Sequence, residues 1–232
     1  MTIEYVMKKD PVDYVILDDL LTPDVVEELL LWVKGLNLED PDRTGSAQDS
    51  QGRAIKRNNG IFIYPGQGYL MDKIISIVCN SLAVASDGLK ESPILYSFFR
   101  PSFTHPEVST AKNSDKSHLL SVYSNGDHYE THCDASTMTS LFWLKDPDKD
   151  FTGGDLVFPD YDETVEFKHN RMIVFPGSIY HKVNPVSGSG RIVISTFFGS
   201  REYMPEPTLE TTVGSKDGEE WIREESNAER MK

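Results

Sequence analysis

His132, Asp134 and His181 are residue types that can close on one metal ion, and two imidazoles with one carboxylate leave such an ion open on one side. His132 and Asp134 are two apart. In an extended strand such residues face the same way with Cα atoms about 6–7 Å apart, so both can reach one ion at about 2 Å. A helix would splay them. His181 comes from a distant stretch, after Val174-Phe175-Pro176-Gly177-Ser178, which reads as a strand ending in a turn. Such a site suits ferrous iron in oxygen-activating chemistry, although zinc accepts the same donors. Ten residues past His181, Arg191 opens the run Arg191 to Phe198, a strand by composition. Its alternation sets Arg191, Val193, Ser195 and Phe197 on one face. A guanidinium supplies the planar fork that a dicarboxylic co-substrate needs. The turn Val186-Ser187-Gly188-Ser189-Gly190 is expected to bring Arg191 back beside His181 on an antiparallel neighbour, with Ser195 adding a hydroxyl to the pocket. Taken singly, a His-x-Asp pair is more often a surface pair, and an arginine opening a strand more often sits at its exposed end. Their order along one chain argues for the site.

The elements that must position these residues can be read from periodicity. Tyr14 to Leu17 reads as a short strand. Thr22-Pro23-Asp24 reads as a helix start, with threonine as N-cap and proline in the first turn. Val25, Val26, Leu29, Leu30, Trp32 and Val33 follow at helical spacing. The polar stretch Glu39 to Gly60 reads as a long loop, Ile61 to Tyr64 as a strand, and Tyr69 to about Ala85 as a second amphipathic helix. From Ile94 the texture changes to short β-rich runs divided by Gly, Pro, Asn and Asp. These are Ile94 to Phe99, Leu119 to Tyr123, Met138 to Leu144, Asp155 to Phe158, Val165 to Phe167, Met172 to Phe175 and Arg191 to Phe198. Many short strands with few helices imply a sandwich or jelly roll. Arg100 to Lys116 reads as a long polar loop, and the chain beyond Gly199 as a charged, peripheral tail.

Composition narrows the class. The chain has 232 residues, 38% of them hydrophobic and 10% aromatic, enough for a real core. A formal net charge of -14 repels phosphate backbones, so no nucleic-acid partner is expected. The two cysteines, Cys79 and Cys133, are too few for a secreted disulfide framework and are expected to be reduced thiols, with Cys133 pointing away from the two proposed ligands that flank it. The N-terminus shows no signal peptide and no apolar run is long enough to span a bilayer, so the expectation is a cytoplasmic protein with no membrane partner.

Several motifs in register carry a resemblance. They are Tyr123-x-x-Gly126-x-x-Tyr129-x-x-His132-x-Asp134, then Gly153-Gly154-Asp155-Leu156-Val157-Phe158, then His181 followed ten residues later by Arg191. In these the chain resembles the Fe(II)/2-oxoglutarate oxygenases, and within them the prolyl 4-hydroxylase-like branch, over roughly Leu119 to Phe198. The resemblance implies a mainly β fold with flanking helices (α+β), a double-stranded β-helix of jelly-roll, cupin-like type braced by N-terminal helices. It implies one oxygenase domain over residues 1–232: supporting elements in 1–93, the core in 94–199 and the tail in 200–232. By resemblance, His132, Asp134 and His181 bind Fe(II) and count as catalytic. Arg191 binds the distal carboxylate of 2-oxoglutarate, and Tyr123 lines the same pocket. Tyr129, Thr139, Leu141, Val183 and Ser195 match pocket-lining positions. Two departures stand out. Collagen-type and plant-type prolyl hydroxylases carry lysine where this chain has Arg191, which looks more like the oxygen-sensing enzymes and their microbial relatives. A tyrosine those enzymes use in the co-substrate pocket is replaced here by Trp143 or its neighbour Phe142.

The activity so implied couples oxidative decarboxylation of 2-oxoglutarate by O2, giving succinate and CO2, to hydroxylation of an unactivated C–H bond. Ascorbate is a candidate reductant. The implied substrate is a prolyl residue in a peptide or protein, a reading that rests on family alone. The alternatives are the same chemistry on a free amino acid or other small molecule, and a non-catalytic jelly-roll binding module. The oligomeric state is not legible.

Overall fold

Among the described residues Met138–Lys145 and Arg191–Phe198 are the two longest strands, and their alternating side chains build two separate cores on either face of one sheet. The computed structural model describes residues 4–8, 12, 14–36, 38, 51–63, 118–134, 136 and 138–198. In chain order the elements are β1 (Glu4–Lys8), β2 (Tyr14–Asp18), α1 (Pro23–Gly35), β3 (Lys56–Arg57), β4 (Asn59–Ile63), β5 (His118–Tyr123), β6 (His128–His132), β7 (Met138–Lys145), β8 (Phe151–Gly153), β9 (Leu156–Phe158), β10 (Glu163–Val165), β11 (Arg171–Pro176), β12 (His181–Val183), β13 (Val186–Gly188) and β14 (Arg191–Phe198). A seven-stranded sheet runs β1-β2-β11-β7-β14-β5-β4, a five-stranded sheet runs β10-β9-β12-β6-β3, and β13 pairs with β8. Every pairing among the described residues is antiparallel. The expected jelly roll is this pair of facing sheets.

The inner faces meet over Tyr123, Leu141, Trp143, Ile173, Phe175 and Val193 from the larger sheet and Leu156, Phe158, Val165 and Val183 from the smaller. The outer face of the larger sheet offers Leu120, Phe142, Leu144, Met172, Val174, Ile192 and Ile194, and Val25, Val26, Leu29, Leu30 and Val33 of α1 cover it. The helix therefore braces the sheet that carries Arg191, and its opposite side leaves Leu31 in solvent. Asn170 fastens the helix entry. Its side chain accepts from Leu21 N–H at 3.0 Å and donates to Leu21 C=O at 2.8 Å, while its own carbonyl takes Leu20 N–H.

Several expectations are revised. Thr22 is the N-cap, but its hydroxyl makes no capping bond; Pro23 at N1 and the bond from Val26 N–H to Thr22 C=O start the helix. Part of the expected loop Glu39 to Gly60 is strand, because Lys56 and Arg57 pair with Tyr129 and His128, and Asn59 and Gly60 with Val122 and Ser121. The strand expected at Val165 to Phe167 lies earlier, at Glu163–Val165. A 3-10 turn at Pro159–Tyr161 closes a tight hairpin onto β9, and Phe167 leaves the ladder to stack on Trp143. Val186–Gly188 is a strand paired with β8 rather than part of a turn. The expected helix Tyr69 to Ala85, the strand Ile94 to Phe99, residues 39–50 and 100–116 and the tail 200–232 lie outside the described residues, as does Cys79. Among the described residues no helix is long and apolar enough to cross a membrane.

Candidate metal centre and co-substrate pocket

The turn from Ser124 to Asp127 moves the chain from one sheet to the other. Asp127 is buried, its carboxylate accepts from Ser124 N–H at 2.8 Å, and Gly126 N–H and Asp127 C=O bond the backbone of Val186. Tyr123 is thereby left at the end of β5 in the larger sheet, while Tyr129 and His132 follow on β6 in the smaller one. This is the physical content of the Tyr-x-x-Gly spacing.

His132 stands directly opposite His181 in the β6–β12 ladder. The strand ends at His132, and Asp134 lies just beyond it, held by the bond from its N–H to Gly177 C=O at 2.8 Å. One ligand atom from each of His132, Asp134 and His181 falls within 4.8 Å of the others. Nε2 of His132 is 3.7 Å from Asp134 Oδ1, and Nε2 of His181 is 3.6 Å from Asp134 Oδ2. Both rings are anchored alike through Nδ1. His132 Nδ1–H donates to Glu130 C=O at 2.8 Å, and His181 Nδ1–H donates to Ile179 C=O at 2.9 Å. That fixes the tautomer and turns each Nε2 lone pair toward the carboxylate. Burial, with His181 beside it, holds the His132 pKa well below its ordinary value, so the ring is neutral and competent to bind a cation. Thr139 Oγ1–H donates to Asp134 Oδ2 at 2.5 Å and takes a bond from the Ser136 hydroxyl at 2.9 Å. The donor set, its convergence and its preset tautomers fit a divalent transition metal.

The ring of Tyr129 stacks on His132 at 3.5 Å between centroids. Burial, then Asp134 and the neighbouring Tyr123, push the Tyr129 phenol well above its usual pKa. Tyr129 thus bridges the metal cluster and the inner wall. Further along that wall, Arg191 is fully buried. Its guanidinium carbon lies 4.6 Å from the Tyr123 ring centre, 5.6 Å from Phe167 and 5.9 Å from Trp143. None of its three guanidinium nitrogens has a hydrogen-bond partner among the described residues. Burial lowers its pKa, but an arginine remains charged at physiological pH. A buried cation with only the Tyr123 phenol beside its fork is costly unless an acceptor anion joins it, and a carboxylate supplies the matching geometry.

Arg191 does not lie on a strand beside His181, as the sequence reading expected. β12 belongs to the smaller sheet and β14 to the larger, so the two residues approach from opposite walls of the sandwich. Arg191 pairs instead with Tyr123 and Lys145. The alternation along β14 holds: Val193 joins the inner core, and Ile192 and Ile194 the outer one. Ser195 is buried opposite Leu141, and Leu141 and Val183 are inner-core residues. Trp143, on the inner face, takes the place of the expected tyrosine, since Phe142 faces α1. Cys133 is a free, half-buried thiol and is not among the clustered ligand atoms.

Gly154 was legible only as part of a motif, yet it decides the shape of the arginine pocket. A Cβ there would sit 2.6 Å from Arg191 Cδ and 2.7 Å from Nε. Asp155 follows, and its carboxylate accepts the Phe167 N–H at 3.1 Å, which fixes one ring of the aromatic wall. Gly154 and Asp155 therefore shape the surroundings of Arg191. Thr139, read from sequence as pocket-lining, holds the carboxylate ligand.

An open two-histidine, one-carboxylate cluster inside a double-stranded β-helix defines a class of metal-dependent oxygenase. Residues 118–199, about a third of the chain, match the family model described as the 2OG-Fe(II) oxygenase superfamily. A PKHD-type hydroxylase of Gloeothece citriformis is 36% identical over 85 residues, which is 32% of this chain and 39% of that relative's length. A PKHD-type hydroxylase of Hyphomonas neptunium is 25% identical over 192 residues, covering 77% of this chain and 75% of the relative. A Pseudomonas putida prolyl-4-hydroxylase shares the fold with a TM-score of 0.51 at 17% identity, over 82% of this chain and 94% of that one. The superfamily's cofactor set is Fe(II), 2-oxoglutarate and O2.

Proposed function

We propose that this protein hydroxylates a prolyl residue in a peptide or protein, consuming O2 and 2-oxoglutarate and releasing succinate and CO2. One observation carries the co-substrate reading: the buried Arg191 guanidinium, without an acceptor among the described residues, on the inner wall of the same sandwich that gathers His132, Asp134 and His181. The substrate reading is supported by the PKHD-type hydroxylase relatives and by the prolyl-4-hydroxylase that shares the fold.

Each part of the site has a task under this reading. His132, Asp134 and His181 hold the ion, and the carbonyls of Glu130 and Ile179 keep the two imidazoles aimed at it. Thr139 fixes the carboxylate's orientation. Arg191 anchors the distal carboxylate of the keto diacid, so the keto acid end points back toward the histidines. The rings of Tyr123, Trp143, Phe167 and Phe175 keep water from the pocket. Bound iron would serve to activate O2, with 2-oxoglutarate giving two electrons as it is decarboxylated, so that one oxygen atom enters the C–H bond and the other enters succinate.

The test is incubation with Fe(II), 2-oxoglutarate, O2 and a proline-rich peptide, read by peptide mass and by succinate formed. One added oxygen on the peptide, lost in Asp134→Ala, is the expected outcome. Succinate formed only with free proline would move the substrate to the small-molecule class. No succinate and no 2-oxoglutarate binding would overturn the enzyme reading.

A further inference from the structure

The three candidate ligands are not held in the same way. His132 and His181 each donate from Nδ1–H to a carbonyl two residues back, Glu130 and Ile179, so each ring is positioned by its own stretch of chain. The Asp134 carboxylate is held from across the sandwich, by Thr139 on β7 of the larger sheet. Thr139 is fully buried, with Phe175 and Phe197 as its ladder partners on either side. Its hydroxyl carries one hydrogen. An ionised carboxylate, the form that binds a cation, only accepts, so that hydrogen is spent on Asp134 Oδ2. The 2.9 Å contact between Thr139 and Ser136 must then take its hydrogen from Ser136. The donors run one way, from Ser136 to Thr139 to Asp134.

Ser136 is 2% exposed, and Gly177 makes its seat. A Cβ at Gly177 would collide with the carbonyl oxygen of Ser136 and lie 2.6 Å from its hydroxyl oxygen. The carbonyl of the same Gly177 accepts the Asp134 N–H. Gly177 thus fixes the backbone of the carboxylate ligand directly and leaves room for the serine that reaches its side chain.

We propose that Ser136 is a positioning residue of the metal centre, acting through Thr139 to hold the Asp134 carboxylate in one orientation. The inference rests on the metal reading of His132, Asp134 and His181 above. A lone threonine hydroxyl is a rotor. With its lone pair taken by Ser136, its hydrogen is left directed at Asp134, and each bond in the chain polarises the next. Oδ2 is engaged by Thr139, so Oδ1 is the freer oxygen to meet an ion. A carboxylate ordered before the ion arrives spares the binding step that ordering cost.

The test compares wild type, Ser136→Ala, Thr139→Val and the double variant by calorimetric titration with Mn(II), alongside the visible absorption of the Co(II)-loaded proteins. Loss of one bond from the relay predicts a Mn(II) Kd raised by about 3- to 10-fold in Ser136→Ala. Because Ser136 acts through Thr139, adding Ser136→Ala to Thr139→Val should change the Kd by less than about twofold. The Co(II) bands, which report the geometry of the donor set, should shift in the same sense in both single variants. Ser136→Cys fills the seat with a weak donor and repeats the test where the alanine variant fails to fold. A merely structural serine would lower the melting of the metal-free protein, leave the Co(II) bands in place and multiply its effect with that of Thr139→Val; that pattern overturns the inference. Unchanged Mn(II) affinity in Ser136→Ala overturns it too and leaves the metal reading standing. Failure of the wild type to bind Mn(II) overturns both.

Discussion

Gly154→Ala tests how the fold shapes the arginine pocket. The backbone at Gly154 has φ +76, a left-handed conformation that costs a residue with a Cβ about 1–2 kcal/mol. The new methyl would lie 2.6 Å from Arg191 Cδ, 2.7 Å from Nε and 3.0 Å from Val186 Cγ2. Ordinary carbon contact is about 3.5 Å, so the arginine stem must move by about 1 Å. Arg191 is fully buried, and its stem cannot swing into solvent. The guanidinium moves with the stem, and a displacement of about 1 Å at a positioning group can cost about 100-fold. The expected result is a 2-oxoglutarate Kd raised by about 10- to 100-fold in Mn(II)-loaded protein, with metal affinity changed by less than about threefold. Overpacking adds about 1–3 kcal/mol of instability to the backbone term.

Gly153→Ala is the matched control. Gly153 has φ +74, and a Cβ there would meet the carbonyl oxygen of Pro185, not Arg191. It should lose comparable stability while keeping its affinity for 2-oxoglutarate. Calorimetry on the folded fraction, with thermal melting alongside, separates the two effects. If both variants melt lower and both bind 2-oxoglutarate as the wild type does, the guanidinium is not the clamp and the reasoning fails.

Thr139→Val removes the hydroxyl that holds Asp134 and should weaken Mn(II) binding by about 10- to 100-fold; unchanged affinity would show that the carboxylate orients without it. Asn170→Ala strands the N–H and C=O of Leu21 and should cost about 2–4 kcal/mol in urea unfolding, and a loss under 0.5 kcal/mol, roughly the scale of a neutral surface change, would contradict the clamp. Asp18 pairs with Arg171 through bonds of 2.6 and 3.0 Å and with Lys168 at 2.9 Å, and the Arg171 bond, against the opposing effect of burial, holds its pKa below the usual 3.8. The stability this contributes is complete above about pH 4 and is lost as pH falls through the lower native value. Asp18→Asn should therefore be about 1 kcal/mol less stable at pH 7, with the difference fading below about pH 4; a difference independent of pH would refute the assignment.

The metal cluster and the arginine were readable because their chemistry is written in residue type. A His-x-Asp pair at a strand end, a second histidine after Phe-Pro-Gly and an arginine opening an alternating apolar run each carry a local signal. What the sequence hid is how the walls face one another. Spacing placed Arg191 beside His181, whereas β13 pairs with β8 and returns the chain into the other sheet. No local pattern distinguishes a neighbour in the same sheet from a neighbour across a sandwich. The short strands β8, β12 and β13, three residues each, were too brief for periodicity to register. Thr139 was legible only as a pocket-lining match until the position of Asp134 gave its hydroxyl a partner.

The central claim is that one wall of the sandwich holds a divalent metal while the other holds the far end of a keto diacid. A crystal structure with Mn(II) and 2-oxoglutarate, phased on the manganese anomalous signal, measures this directly. The account predicts one metal bound by Nε2 of His132, Nε2 of His181 and a carboxylate oxygen of Asp134, with the distal carboxylate of the keto diacid paired to Arg191. Manganese bound elsewhere, or a keto diacid whose distal carboxylate turns away from Arg191, would contradict it.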